Sequence, residues 1–293
     1  MSNITAQMVK ELRDRTGAGM MECKKALLEA SGNMEKAVEE MRKAGQAKAD
    51  KKSSRIAAEG VLTLSVSEDN KIANMIEINC ETDFVAKDEN FLEFVKTISE
   101  VSLQNYNGSL DDFNNSKCKS GKTIEETRLE LVSKVGENVK IRRIQSIAND
   151  GNYMGHYMHG AKIGVVVILE KENENLAKDI CMHIAAMKPL ALNSSEIPQE
   201  DLDKEREIFS AQAKESGKPD DIIQKMVDGK MKKYISEVTL VDKSFVKDSE
   251  ISINKLLEKH DNSVLLFYRL EVGEGIEKKD ENFADEVMAQ IKK

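Results

Sequence analysis

The chain has 293 residues and a formal net charge of −8; 40% of its residues are hydrophobic and only three are proline. This length suits two or three packed units, and the composition excludes a disordered or collagen-like protein. The negative charge argues against direct binding to nucleic acid, because such binding depends mainly on Lys and Arg side chains that neutralise phosphates.

Cysteine usage and hydropathy narrow the class further. The four cysteines lie far apart and form no Cys-x-x-Cys pair, so the sequence predicts neither a zinc ribbon nor a redox motif. No apolar stretch approaches the length of a membrane span, and residues 1–16 have neither a secretory nor a transit character. We therefore expect a cytoplasmic protein that makes no contact with a membrane.

Residues 1–45 contain three short runs of apolar residues at helical spacing, which predict a compact three-helix bundle. Thr5 is suited to cap the first helix, and the segment Thr16-Gly17-Ala18-Gly19 ends it. Residues 46–58 are rich in Ala, Lys and Ser and lose this periodicity. We interpret them as an extended or partly helical linker.

Residues 59–148 are predicted to form the first half of an α+β core. β-Branched residues alternate over 61–78 and are interrupted by polar residues, which is typical of a hairpin of two strands. The segment 82–87 is then predicted to be an exposed loop before a helix that Asp88 caps. Residues 104–120 are rich in Asn, Ser, Asp and Gly and are predicted to be a loop or a poorly ordered insertion.

Residues 149–271 are predicted to form the second half of the core, beginning with a buried strand at 163–169. Two charged helices within 199–238 are separated by Ser216-Gly217-Lys218-Pro219, a layout typical of an antiparallel helical hairpin. Residues 272–293 are predicted to form a C-terminal helix module. Together these elements predict the α+β class, with antiparallel strands in a two-part core.

The chain carries no convincing motif for catalysis. Gly121-Lys122-Thr123 resembles the end of a phosphate-binding loop, but Ser116 stands where such a loop needs its first glycine, so no nucleotide site is predicted. His156 and His159 lie in a predicted strand and turn without a third ligand nearby, which favours contact residues over a metal site. His183 lies on the apolar face of a predicted helix, as core histidines do. We expect no enzyme activity, metal or cofactor, and a metal hydrolase that uses the His156 and His159 pair is an alternative of low weight.

The segment Asp83-Phe84-Val85 places an aromatic side chain in a predicted loop. Two interpretations of Phe84 stay open. An isolated phenylalanine in a loop usually packs into the local core. The other interpretation is an exposed aromatic anchor, of the kind on which protein interfaces are built.

Two segments resemble the signature segments of the elongation factor Ts family, namely Leu12-Arg13-Asp14-Arg15-Thr16-Gly17-Ala18-Gly19 and Glu77-Ile78-Asn79-Cys80-Glu81-Thr82-Asp83-Phe84-Val85-Ala86-Lys87. The similarity continues in Val135-Gly136-Glu137-Asn138 with Arg142-Arg143, in His159-Gly160-Ala161-Lys162-Ile163-Gly164, in Ser216-Gly217-Lys218-Pro219 and in Gly273-Glu274-Gly275-Ile276-Glu277. It covers nearly the whole chain, and only residues 104–120 depart from it freely.

The resemblance implies a bundle of the ubiquitin-associated type, a two-part α+β core, a protruding helical hairpin and a C-terminal helix. It also implies a guanine-nucleotide exchange factor that binds elongation factor Tu and promotes GDP release during translation elongation, without being an enzyme. In that family the pair that matches Asp83 and Phe84 enters the G domain of the partner and disturbs the region that holds magnesium and phosphate. Val135 then supports this insertion, Lys24 lies in the docking region of the bundle, and His159 contacts a distant domain of the partner. The implied partner-binding residues are Arg13, Lys24, Thr82, Asp83, Phe84, Val85, Val135 and His159.

The helical hairpin allows a second hypothesis of a different class. By the same resemblance, the hairpin at 199–238 is a candidate for homodimer formation. The alternative function is therefore a dimeric, non-catalytic interaction scaffold, whose bundle binds other helices or ubiquitin-like folds and which leaves GDP release unchanged.

Overall fold

The computed structural model describes residues 4–277, apart from the side chain of Lys48. The helices are α1 (Ala6–Thr16), α2 (Met20–Glu29), α3 (Met34–Lys52), α4 (Glu89–Asn105), α5 (Leu110–Asn114), α6 (Ile124–Val135), α7 (Glu174–Met187), α8 (Gln199–Lys214), α9 (Asp220–Val238) and α10 (Ile253–Lys259). The strands are β1 (Glu59–Val66), β2 (Ile72–Cys80), β3 (Lys140–Ala148), β4 (Tyr153–His159), β5 (Ile163–Leu169), β6 (Ser244–Phe245), β7 (Asp248–Ser252) and β8 (Val264–Glu271). This mixture of helices and small sheets confirms the predicted α+β class. Within the described range, no helix is both long and apolar enough to span a membrane.

The chain divides into two compact units. The described part of the first unit consists of residues 4–65, 74–146 and 271–277, and the second unit consists of residues 66–73 and 147–270. The first unit therefore contains the three N-terminal helices together with the strands and helices that follow them, whereas the second contains the helical hairpin.

Helices α1 to α3 form the predicted bundle, and each contacts the other two. Thr5 caps α1 by accepting a hydrogen bond from the Met8 amide, and Gly17 ends the helix in the left-handed conformation, with a φ of 67°. Helix α3 continues to Lys52, so the first part of the predicted linker is helical, and α3 also packs against α6. The buried residues of the bundle are Val9, Leu12, Cys23, Ala26, Leu27, Ala30 and Ala37.

The core of the first unit combines the sheet of order β1-β2-β3 with helices α4 to α6. Asp88 caps α4 as predicted, because its side chain accepts hydrogen bonds from the Asn90 and Phe91 amides. Thr123 and Glu126 form a capping box at the start of α6. The largest buried side chains of this core include Ile76, Ile78, Phe91, Phe94, Ile98, Phe113, Ile124 and Leu131.

Residues 104–120 are more ordered than their composition predicts. Helix α5 lies within them, and Ser109 caps it by accepting a hydrogen bond from the Asp112 amide. Phe113 is fully buried in the core, where its ring meets that of Tyr106 edge-on with 5.8 Å between centroids. The prediction of a loop or a poorly ordered insertion was wrong for α5, although residues 106–109 and 115–120 lie outside helices and strands. The burial of an aromatic side chain outweighs the weak local preference of Asn, Ser and Gly for turns.

One buried carboxylate joins three segments of the first unit. Glu77 on β2 pairs with Arg142 at 3.0 Å and with Arg143 at 2.6 Å, both on β3, and accepts a hydrogen bond from the Gly273 amide at 2.8 Å. Burial by itself raises the pKa of Glu77, but the hydrogen bonds from Gly273, Asn79 and Arg142 and the charge of Arg143 outweigh it, so the pKa is lowered. Glu77 therefore holds residues 271–274 against the sheet as a carboxylate.

Residues 272–275 form turns, with hydrogen bonds from the Glu274 amide to the Glu271 carbonyl and from the Ile276 amide to the Gly273 carbonyl. The predicted C-terminal helix at 272–293 otherwise falls on residues 278–293, which lie outside the described residues.

The second unit is built on the sheet of order β4-β5-β8, which α7 covers on one side. Strand β4 pairs antiparallel with β5, with Tyr157 opposite Val165. Helix α7 approaches closely at Gly155, where an added Cβ atom would lie 2.4 Å from the Cβ of Ala177. A larger residue at this position would therefore push α7 away from the sheet.

Helices α8 and α9 form the predicted antiparallel hairpin, which turns at Gly217 with a φ of 65°. The hairpin has a small core of its own, formed by Ala213, Val227 and Met231. Its second helix returns to the rest of the unit, where the Leu190 amide donates a hydrogen bond to the Val238 carbonyl at 2.7 Å. The hairpin thus begins and ends on the second unit.

Candidate functional site

Phe84 lies on an exposed turn between β2 and α4, and its side chain is 82% exposed. This exposure excludes the interpretation in which Phe84 packs into the local core. Residues 85–87 form one 3₁₀ turn, in which the Lys87 amide donates a hydrogen bond to the Phe84 carbonyl at 3.1 Å. Ala86 is buried and Val85 packs against the core of the first unit, so the turn is anchored directly after the exposed ring.

Asp83 precedes the aromatic residue and is also exposed. Its carboxylate accepts a hydrogen bond from Lys87 Nζ at 2.8 Å, and this contact raises the pKa of Lys87. Both side chains are open to solvent, so the pair contributes little to stability. Asp83 can therefore give up its ion pair with Lys87 at a low cost in free energy.

A second carboxylate holds the backbone at the start of the turn. Glu137 Oε2 accepts hydrogen bonds from the Glu81 and Thr82 amides at 3.1 and 3.0 Å, and Glu137 Oε1 accepts one from the Thr82 hydroxyl at 2.6 Å. In return, Glu81 Oε1 accepts a hydrogen bond from the Asn138 amide at 2.6 Å. Two segments that lie more than 50 residues apart in sequence are thus joined by reciprocal charge-assisted hydrogen bonds, which are stronger than neutral ones.

The same cluster reaches the segment that follows the bundle. Asn138 is buried, and its side-chain amide donates to the Arg55 carbonyl at 2.9 Å and to the Ser53 carbonyl at 3.3 Å. The Arg55 guanidinium lies 3.5 Å from the Glu81 carboxylate. The end of α3, the end of β2 and the end of α6 therefore share one polar cluster within the first unit.

Val135 is the last residue of α6 and packs, partly buried, against the core of the first unit. Gly136 follows it in the left-handed conformation, with a φ of 82°, and ends the helix. This change of direction comes directly before Glu137. The segment that begins at Val135 therefore supports the Thr82 turn through the neighbouring carboxylate, a contact that the sequence analysis did not single out.

The candidate residues of the bundle lie on its surface. Arg13 on α1 and Lys24 on α2 are exposed. Three apolar side chains of α2 are also exposed to solvent, namely Met20, Met21 and Leu28. Residues four apart on a helix share a face, so Met20, Lys24 and Leu28 line one side of α2. An apolar face that carries one basic residue is thus left open in the isolated chain.

His159 ends β4 in the second unit, where it is exposed and its Nδ1 atom lies 3.1 Å from the Tyr157 hydroxyl. His156 lies three residues earlier on the same strand, so the two histidines point to opposite faces of it. Among residues 4–277, no group of three or more acidic, histidine or cysteine side chains is arranged to hold a metal ion. The arrangement gives the alternative of a metal hydrolase no support.

The structure brings Thr82, Asp83, Phe84 and Val85 together on one turn, and it places Arg13, Lys24 and Val135 in the same unit. His159 belongs to the second unit. Glu137 and Glu81 were missed as functional candidates. Their signal in the sequence was present, because each lies inside a segment that carries the family resemblance, but nothing local shows that their carboxylates contact the opposite segment.

The fold and the site together indicate a protein that acts through contacts with other proteins. An exposed aromatic side chain on an anchored turn is typical of this class. The family model described as "Elongation factor TS" matches residues 81–274. Elongation factor Ts of Legionella pneumophila (strain Paris) is 52% identical over 292 residues, which cover 100% of both chains. Elongation factor Ts of Thioalkalivibrio sulfidiphilus is 58% identical, with 99% of both chains covered, and that of Francisella tularensis subsp. novicida is 50% identical, with 100% covered. The chain therefore belongs to the elongation factor Ts family, so it is an elongation factor of protein biosynthesis and not an enzyme.

Proposed function

We propose that this protein is a guanine-nucleotide exchange factor that binds elongation factor Tu in the cytoplasm and promotes the release of GDP. The proposal rests on membership of the family together with one observation, the 82% exposure of Phe84 on an anchored turn. All four cysteines are buried and none is in a disulfide, which agrees with a reducing compartment.

An exchange factor works by differential affinity. It binds the nucleotide-free partner more tightly than the nucleotide-bound one, and reciprocity then requires that it weaken nucleotide binding by the same factor. Each tenfold change needs about 1.4 kcal/mol of differential contact. Burial of a phenylalanine side chain contributes about 1.5 to 3 kcal/mol. Insertion of Phe84 into the partner can therefore weaken GDP binding by about one to two factors of ten.

Asp83 is proposed to act beside Phe84. In the free protein its carboxylate pairs with Lys87, and a solvent-exposed pair of this kind contributes little to stability. The pair can therefore open at little cost when the turn enters the partner. The released carboxylate then repels phosphate or competes for the polar groups around the magnesium ion.

The other candidate residues are proposed to dock the partner rather than displace its nucleotide. The open face of α2, with Lys24 between apolar side chains, provides a docking surface on the bundle, and Arg13 adds a second exposed basic residue. Val135 supports the inserted turn from the end of α6. His159 is proposed to contact a further domain of elongation factor Tu.

Stopped-flow release of fluorescent GDP from elongation factor Tu tests this function. The unaltered protein is expected to accelerate release, and the Phe84→Ala variant is expected to lower the maximal rate about 10- to 100-fold, from the lost burial of the ring. Because the ring is already exposed, the variant should unfold at the same urea concentration as the unaltered protein.

Lys24→Ala serves as the matched comparison on the docking face. We expect it to raise the concentration of the factor that gives half-maximal release while leaving the maximal rate unchanged. Equal effects of the two substitutions on both parameters would contradict this division of roles. An unaltered protein that bound elongation factor Tu without accelerating release would favour the dimeric scaffold instead.

A further inference from the structure

We propose that Glu137 is a positioning residue for nucleotide exchange: its carboxylate fixes the backbone around Phe84, so that the Cα–Cβ bond of Phe84 points in one direction and presents the ring to the partner. This inference rests on the proposed function and extends it from the inserted residue to the residue that orders it.

The hydrogen bonds around Thr82 carry the inference. The Glu137 carboxylate accepts hydrogen bonds from the backbone amides of residues 81 and 82 and from the Thr82 hydroxyl, with donor–acceptor distances of at most 3.1 Å. The Thr82 hydroxyl oxygen accepts in turn from the Val85 amide at 3.3 Å, and the Thr82 carbonyl accepts from the Ala86 amide at 3.2 Å. An unbroken path of hydrogen bonds therefore runs from Glu137 to the backbone on both sides of Phe84.

Phe84 has little else to orient it. Its side chain is 82% exposed, so packing does not hold the ring, and the backbone alone determines the direction of the Cα–Cβ bond that carries it. A group that is ordered before binding loses less conformational freedom when it binds. Glu137 thus acts on exchange through Phe84, without needing to touch the partner.

The position of Glu137 is itself well determined. Gly136 ends α6 and turns the chain, and the next amide, that of Asn138, donates to Glu81 at 2.6 Å. Asn138 is also tied to the carbonyls of Ser53 and Arg55. The backbone that carries Glu137 is therefore fixed on both sides of this residue.

A double-mutant cycle with Phe84 tests the inference in the GDP-release assay. Glu137→Ala alone is expected to lower the maximal release rate about tenfold, which lies within the usual range of coupling between residues of one network. In a Phe84→Ala background the same substitution should cause no further loss, because Glu137 acts only through the ring. A merely structural role would give losses that multiply, since Phe84 contributes little to the stability of the fold.

Conservative replacement provides a second readout. In Glu137→Gln the amide oxygen still accepts the backbone amides and the amide nitrogen can donate to the Thr82 hydroxyl oxygen, so most of the lost rate should return. Glu130→Ala is the matched control, because Glu130 is a carboxylate of α6 that pairs with Lys122 at 2.6 Å. This control should release GDP at the rate of the unaltered protein.

Several outcomes would overturn the inference. If the unaltered protein accelerates release and Glu137→Ala matches it, the positioning role fails while the proposed function stands. The positioning role also fails if the losses in release rate from Glu137→Ala and Phe84→Ala multiply in the double variant. No acceleration by the unaltered protein overturns both. If Glu137→Ala does not fold, Thr82→Val, which removes the hydroxyl between Glu137 and Val85, is tested in the same cycle by the same criterion.

Discussion

Glu77 and Asp83 are acidic residues only six positions apart, yet the first belongs to the core and the second to the surface. Glu77 is fully buried between Arg142 and Arg143, and its pKa is lowered despite the burial. Asp83 is exposed and, among the described residues, forms its ion pair with Lys87. This difference in burial means that the Glu77 carboxylate stabilises the fold, whereas the Asp83 carboxylate is available to a partner.

Glu77→Gln is expected to destabilise the protein by about 3 kcal/mol, because it removes the buried carboxylate that pairs with Arg142 and Arg143 and leaves only the more distant Glu274, 3.9 Å from Arg143. A carboxyl with a lowered pKa contributes stability that is present above its ordinary pKa, 4.5 here, and is lost as the pH falls below it. The variant should therefore also lose part of the acid sensitivity of unfolding. Urea denaturation followed by circular dichroism measures both effects.

Asp83→Asn is the control for this substitution. It removes an equal charge from an exposed pair, so the free energy of unfolding should change by less than about 1 kcal/mol. Equal destabilisation by the two variants would show that burial of Glu77 does not determine its contribution.

Helix α7 carries a buried histidine that makes its packing sensitive to pH. His183 is fully buried, and its Nδ1 atom accepts a hydrogen bond from the Val246 amide at 3.2 Å. Burial, together with the charge of Lys243, lowers the pKa of His183 to about 4. The prediction of a core histidine is confirmed for its burial, although its Nε2 atom has no hydrogen-bond partner among the described residues.

The unfolded chain binds the proton of His183 at higher pH than the folded chain, so stability falls as the pH drops from the ordinary pKa of 6.5 towards 4. We expect a loss of about 2 kcal/mol between about pH 7 and about pH 5 from this residue. His183→Gln should remove that component of the pH dependence, as measured by urea denaturation at the two pH values. His260→Gln, which changes an exposed histidine at the end of α10, should retain it. If both variants kept the full pH dependence, another group would be its source.

At the scale of the whole molecule, the hairpin of α8 and α9 is the candidate surface for the homodimer that the family resemblance suggests. Its two helices are already joined to each other, for example by Arg206 and Asp228 at 3.0 Å, while Ile208 and Ile222 stay 48% and 39% exposed. Dimerisation through this hairpin predicts that Ile208→Glu with Ile222→Glu converts a dimer into a monomer in sedimentation velocity.

The same double variant should keep its fold and its rate of GDP release, because both side chains are exposed and the Phe84 turn belongs to the first unit. An unaltered protein that sedimented as a monomer at every concentration would contradict dimerisation. Loss of exchange activity in the monomeric variant would instead tie the dimer to the function.

Most of the elements could be predicted because their signals are local. Thr5, Asp88 and Thr123 cap helices through hydrogen bonds to amides within three residues, and apolar periodicity reports which face of each element is buried. The family resemblance rests on equally short segments. By itself, then, the sequence determined the α+β class, the helical hairpin and membership of the elongation factor Ts family.

Tertiary structure alone decided the properties that depend on distant residues. The order of residues 104–120 follows from the burial of Phe113, and Glu77 meets Gly273 across 196 positions. The same holds for the exposure of Phe84 and for the hydrogen bonds between Glu137 and Thr82, which lie 55 positions apart. Both depend on which segments lie next to each other in the folded chain. No local sequence pattern predicts such contacts, because a glutamate is the same residue in the sequence whether its carboxylate faces water or accepts hydrogen bonds from a distant amide. Only the folded chain decides which of the two environments the carboxylate has.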